Sequence, residues 1–121
     1  MSLDATADLT RKACVPCEGG VPTLTPDEVA ALLPQVPGWR VSGDGKRIRR
    51  EWRARNFVAG MDFFRKIAEV AEGEGHHPDL HLVGYRDVAI EIWTHAIGGL
   101  SENDFILAAK IDALPFEAKK A

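Results

Sequence analysis

The sequence predicts an α+β domain: a four-stranded antiparallel sheet with three helices packed on one face, in the order α-β-β-α-β-β-α. Three observations carry the prediction. Extended runs come in two pairs, each joined by a short turn rich in Gly or polar residues, at Ser42-Gly43-Asp44-Gly45 and near Gly84. Three other segments begin with a helix-capping residue and continue with apolar residues at helical spacing. Strands joined by short turns pair antiparallel, and such a sheet buries one face under helices while the other is left for solvent, ligand or another subunit.

The elements follow in order. Thr25-Pro26-Asp27-Glu28 starts the first helix: Thr25 suits the N-cap, Pro26 the first helical position, and Glu28 closes a capping box. Leu24 and Val29 are spaced for a hydrophobic staple, and Val29, Leu32, Leu33 and Val36 form its apolar face, ended by Pro34 and Pro37-Gly38. Trp39-Arg40-Val41 and Lys46 to Ala54 flank the first turn as a hairpin. The second run sets Arg47, Arg49, Arg50 and Arg53 around Ile48 and Trp52, which points to a face near solvent or an acidic ligand. Asn56 caps the second helix, whose buried face is expected to be Phe57, Met61, Phe64, Ile67, Ala68 and Ala71, with Gly73 and Gly75 stopping it. Leu80 to Val83 and Arg86 to His95 form the second strand pair, in which Val88, Ile90 and Ile92 alternate with Asp87, Glu91 and Trp93. Gly98-Gly99 breaks the chain. Ser101 then caps a last, mostly apolar helix to Leu114, with Asp104 three residues on and a Leu100 to Phe105 staple.

Composition bounds the function. The chain has 121 residues, a formal net charge of −3 and 45% hydrophobic residues, which fits one soluble domain and argues against a nucleic-acid surface built on bulk basicity. No apolar run reaches the roughly 20 residues of a membrane span. The first residues have no apolar core of the secretory kind, so the cytoplasm is the expected setting and the thiols are expected to be reduced. Residues 1–22, rich in Thr, Asp, Gly and Pro, read as a flexible N-terminal arm, and 23–121 as the domain. The arm carries Cys14 and Cys17 as a lone C-x-x-C, either a bare pair of thiols, a redox pair or half a zinc site.

All four histidines, His76, His77, His81 and His95, lie within 20 residues. Imidazole gives and takes protons near neutral pH, so converging histidines form a candidate acid/base site. Pro78 stiffens the backbone after the His76-His77 pair. A metal site and ordinary solvated or core histidines stay open beside that reading, although no carboxylate or Cys falls at a familiar ligand spacing. Asp104 has a bland role as the capping-box residue, Glu72 as a surface charge at a helix end that the dipole opposes, and Trp93 as core or as a stacking wall for a flat heterocycle.

The segment Glu72-Gly73-Glu74-Gly75-His76-His77-Pro78, then Tyr85, Thr94-His95, Gly98-Gly99-Leu100-Ser101 and Asp104, resembles the pterin-4a-carbinolamine dehydratase family over about residues 23–114. Two departures stand out: six residues rather than five separate Pro78 from Tyr85, and Gly75 stands where some members have Asp. The resemblance implies loss of water from 4a-hydroxytetrahydrobiopterin to give quinonoid dihydropterin, in tetrahydrobiopterin recycling. It implies His76, His77 and His95 as catalytic residues, and Glu72, Pro78, Thr94 and Asp104 as substrate-binding or supporting residues. It implies no metal and no cofactor beyond the pterin substrate, a homodimer or homotetramer, and a functional link to an aromatic amino-acid hydroxylase. Nothing in it calls for direct contact with nucleic acid or membrane. The sheet edge and the apolar final helix are the expected subunit contacts. The family also resembles a protein that serves as a dimerisation cofactor for a homeodomain transcription factor in animals, which implies a protein-binding role as the alternative.

Overall fold

The computed structural model describes residues 8–15 and 22–119. Three helices, α1 (Pro26–Leu32), α2 (Phe57–Glu74) and α3 (Glu102–Asp112), accompany four strands, β1 (Arg40–Val41), β2 (Ile48–Arg53), β3 (Asp79–Val83) and β4 (Asp87–Ile92). The strands form one antiparallel sheet in the order β1-β2-β4-β3. The fold class and element order are those expected.

The caps read from sequence are present. Thr25 Oγ1 accepts from the Glu28 N–H at 3.2 Å, while Glu28 Oε1 accepts from the Thr25 N–H at 2.9 Å. Asn56 Oδ1 accepts from the Ala59 N–H at 2.9 Å. Each satisfies a backbone donor that a helix start leaves without an intrahelical partner.

Register sorts the sheet into two faces. Ile48 lies opposite Ile92, and Trp52 opposite Val88, facing the helices. Trp52, Phe63 and Phe116 meet edge to face or tilted, with centroids 4.7–6.4 Å apart, and Trp39 joins at 5.7 Å from Trp52. Arg50 is on this inner face too, its guanidinium 4.7 Å from the Trp52 ring centroid and 2.6 Å from Asp112. The arginines of the outer face meet the chain's own carboxylates: Arg49 and Arg47 approach Glu91 at 3.6 and 3.8 Å, and Arg53 approaches Asp87 at 3.4 Å.

The buried face of α2 differs from the one expected. Ala59, Gly60, Phe63, Ile67 and Ala71 are buried, whereas Phe57, Met61 and Ala68 are exposed. Close packing decides this. A Cβ on Gly60 would lie 3.3 Å from Leu82 of β3, so the small Ala59-Gly60 pair lets the helix approach the sheet where bulky side chains would hold it off. The final helix is likewise no free contact surface: Asn103 to Ala109 and Ile111 are buried within the chain itself.

Part of the expected flexible arm is docked. Leu9 is buried at 1% exposure in the core, and the 3₁₀ turn Leu9–Arg11 lies against α3. Anchoring a large aliphatic side chain removes apolar area from water, which opposes the freedom expected of a polar terminus. Cys14 is half-buried beside Glu74, whose carboxylate accepts from the Cys14 N–H at 2.9 Å. Burial, with Glu74 adding to it, pushes the thiol up to about 12. A raised thiol holds little thiolate near neutral pH, so alkylation of Cys14 by iodoacetamide at pH 8 should be about 10²- to 10³-fold slower in the native protein than in urea. Peptide mapping by mass spectrometry separates it from Cys17, which lies outside the described residues. Equal native and denatured rates would show that Cys14 is not shielded.

Candidate active site

The site is built where α2 ends, β4 ends and α3 begins. Gly75 takes a left-handed conformation (φ 65°) after α2, its N–H bonding to the Glu72 carbonyl, and the His76 N–H bonds back to Ala71. This Schellman ending satisfies the last carbonyls and turns the chain out of the helix with His76 as its next residue. Glycine suits that position because a Cβ disfavours positive φ. On the other side, β4 stops at Ile92, and Thr94 bridges to Gly99 around a 3₁₀ turn, His95–Ile97. His95 therefore sits on that turn and not in the strand itself.

A cavity of about 500 Å³ opens between these segments, lined by His76, His77 and Pro78 from the first and Trp93, Thr94 and His95 from the second. Gly75, Asp79, Ala96, Asn103 and Val15 complete it. Three of the four histidines converge here. His81 does not; it lies on the outer sheet face with Nε2 3.0 Å from Glu91.

Asp104 organises the floor. It is fully buried, and its two oxygens divide the work. Oδ2 accepts from the Ser101 N–H at 2.8 Å and from the Thr94 hydroxyl at 3.0 Å. Oδ1 lies 2.6 Å from His76 Nε2. The capping role and the histidine role thus belong to one side chain. A carboxylate accepts, so Nε2 of His76 carries the proton and Nδ1 is the ring nitrogen left to exchange one. Since Thr94 gives its proton to Asp104, the Ser101 hydroxyl, 2.7 Å away, donates to Thr94.

The remaining pairs are looser. Glu72 Oε1 lies 2.8 Å from His77 Nε2 with both side chains largely exposed. The donor partly offsets the unfavourable placement of a carboxylate at a helix C-terminus. His95 stacks on Trp93 with ring centroids 4.0 Å apart and planes 27° apart. Trp93 is thus a wall of the cavity rather than core, and its buried indole N–H has no partner among the described residues. No group of three or more His, Cys, Asp or Glu side chains among the described residues is gathered as a metal site would be.

Tyr85, part of the sequence motif, is absent from the cavity lining. It occupies the β3–β4 turn at φ 57°, and the Arg86 guanidinium lies 5.1 Å from its ring centroid. Conversely, Val15 and Asn103 border the cavity without having been singled out. Asn103 stands beside a capping residue, and its partner is 88 residues away in sequence, so no local pattern signals either one.

The family model described as pterin 4 alpha carbinolamine dehydratase matches residues 22–114. A mitochondrial pterin-4-alpha-carbinolamine dehydratase 2 of Arabidopsis thaliana is 54% identical over 92% of this chain, which spans 61% of that relative's length. A putative pterin-4-alpha-carbinolamine dehydratase of Methylococcus capsulatus is 47% identical over 91% of this chain and 96% of its own. Among solved structures, a transcriptional coactivator/pterin dehydratase from Brucella melitensis superposes with a TM-score of 0.71 at 28% identity, covering 76% of this chain and 97% of that one.

Proposed function

The chain belongs to the pterin 4 alpha carbinolamine dehydratase family, and from that premise we propose that it dehydrates a 4a-hydroxytetrahydropterin to the quinonoid dihydropterin by histidine acid/base catalysis. In the reaction the C4a–O bond breaks, N5 loses its proton, a C4a=N5 double bond forms and the hydroxyl leaves as water. The step needs a base at N5 and an acid at the departing hydroxyl.

The observation that carries the reading is the 2.6 Å pair of His76 Nε2 and buried Asp104 at a cavity that His77 and His95 also border. The buried carboxylate fixes the tautomer and orientation of the imidazole, which equips His76 as the principal acid/base group. His95, exposed and held by its stack on Trp93, serves as the second such group, and His77 assists by contacting substrate. Pro78 and Trp93 offer rigid walls to a flat bicyclic ring.

The proposal extends to the protein's setting: tetrahydrobiopterin recycling in the cytoplasm, with a tetrahydropterin-dependent aromatic amino-acid hydroxylase as the source of substrate. Among the described residues no helix is long and apolar enough to cross a membrane. The proposed assembly is a homodimer or homotetramer. Phe57, Val58 and Met61 of α2 are exposed apolar side chains, and β3 is an edge strand carrying exposed Leu80 and Val83, which supports a contact through this side of the molecule.

The test is stopped-flow dehydration of 4a-hydroxytetrahydropterin generated in place by a hydroxylase. A fast, protein-dependent phase is expected. Well-folded protein that gives no acceleration over buffer would remove the dehydratase reading and leave the fold standing.

A further inference from the structure

We propose that residues 8–15 form a strap completing one wall of the cavity, and that Asn103 is the positioning residue that clasps it, so that this segment tunes substrate affinity more than turnover. The proposal deepens the dehydratase reading and rests on it.

The strap is fastened along its length by contacts distant in sequence. Leu9 is buried, and its N–H donates to Gln35 Oε1 at 3.3 Å. Lys12 Nζ meets Glu102 Oε2 at 3.1 Å, and the Cys14 N–H donates to Glu74. The last fastening is the most specific. Asn103 Oδ1 accepts from the Val15 N–H at 3.0 Å, and Asn103 Nδ2 donates to the Val15 carbonyl at 2.5 Å. One amide side chain thereby satisfies both backbone groups of a single residue, as a neighbouring strand would, and holds Val15 in register without a sheet.

Asn103 is buried at 4% exposure, and it lines the cavity together with the residue it holds. Its neighbour Asp104 holds His76. The first turn of α3 therefore positions two sides of the cavity at once: the acid/base histidine through Asp104 and the strap through Asn103. Val15 is 56% exposed, and its apolar side chain borders a cavity whose other contributors include three histidines and Asp79. An exposed aliphatic group held by its backbone at such a rim gives a ligand's ring edge or substituent an apolar contact. Lost contacts of this kind weaken ground state and transition state alike, which appears in KM and leaves kcat in place.

Asn103→Ala and Val15→Ser separate the clasp from the wall. Val15→Ser keeps the backbone hydrogen bonds and changes an exposed side chain, so it reports even if Asn103→Ala folds poorly. Each should raise KM about 3- to 10-fold with kcat within about 2-fold, the scale of one or two modest contacts. Unchanged KM in Val15→Ser, or a fall in kcat at constant KM, would overturn the proposal. Amide hydrogen exchange with 7,8-dihydrobiopterin as the probe reads the strap independently of turnover. Added protection over residues 9–15 is expected, and lost protection at Val15 in Asn103→Ala. A wild-type protein that gains strap protection yet shows no dehydration would count against the dehydratase reading alone, whereas no change in strap protection overturns the strap.

Discussion

His76→Ala should lower the dehydration rate by about 10²-fold or more, the usual scale for loss of a positioned acid/base group. The histidine is held by the 2.6 Å bond to Asp104, with its side chain 12% exposed, so its removal also strands a buried carboxylate oxygen. That adds a stability loss of roughly 1–3 kcal/mol, which has to be separated from the chemistry. His76→Gln provides the separation, because the amide can donate to Asp104 but cannot exchange a proton near neutral pH. Single-turnover dehydration on variants verified as folded should show His76→Gln as slow as His76→Ala and thermally closer to wild type. His95→Ala should match the rate loss without the stability loss, since His95 is exposed and is held by a stack on Trp93 rather than by a buried hydrogen bond. Rates within a few-fold of wild type in both His76→Ala and His95→Ala would remove these residues from the mechanism.

The second large effect is expected at Asp104, where rate and stability should fall together. Asp104→Ala removes the reciprocal half of the α3 capping box and leaves the Ser101 N–H, the Thr94 hydroxyl and His76 Nε2 without their acceptor. The cost should be about 2–4 kcal/mol, combining a half-lost capping box with buried donors left unsatisfied. For a domain of this size that is a fall in Tm of roughly 10–25 °C. Asp104→Asn keeps the shape but offers one acceptor oxygen in place of two. If that oxygen keeps the cap, the amide NH₂ faces His76 and forces the opposite tautomer; if it keeps His76, the cap is lost. Either arrangement should slow dehydration by about 10²-fold with less destabilisation than alanine causes. Calorimetry beside stopped-flow kinetics decides the matter. A stable Asp104→Asn with wild-type rates would confine Asp104 to capping α3.

The two roles of Asp104 show how far local reading goes. Its capping role is visible in Ser101-Glu102-Asn103-Asp104, because a capping box is a matter of four residues and one turn of helix. Its histidine is 28 positions earlier, and only the approach of the end of α2 to the start of α3 brings them together. The same contrast runs through the fold. Strand alternation at 87–93 and the caps Thr25, Asn56 and Ser101 are short-range, and each was legible. The buried face of α2 was not, since Phe57, Val58, Met61, Phe63 and Phe64 offer more than one apolar stripe, and the space between Gly60 and Leu82 selects among them. Arg50 likewise looked like one of a solvent-facing set, until register turned it inward to Trp52 and Asp112.

By itself, then, the sequence determined the α-β-β-α-β-β-α order, the helix starts, and the histidine motif that resembles one family, because these are written in neighbouring residues and in periods of two or 3.6. The tertiary structure alone decided which histidines share a cavity, which nitrogen of His76 is held, and that a polar N-terminal segment with one well-placed leucine docks beside the site. Those outcomes depend on burial and on partners far apart in the chain, where the free energy lies in packing and in satisfied hydrogen bonds rather than in local conformational preference.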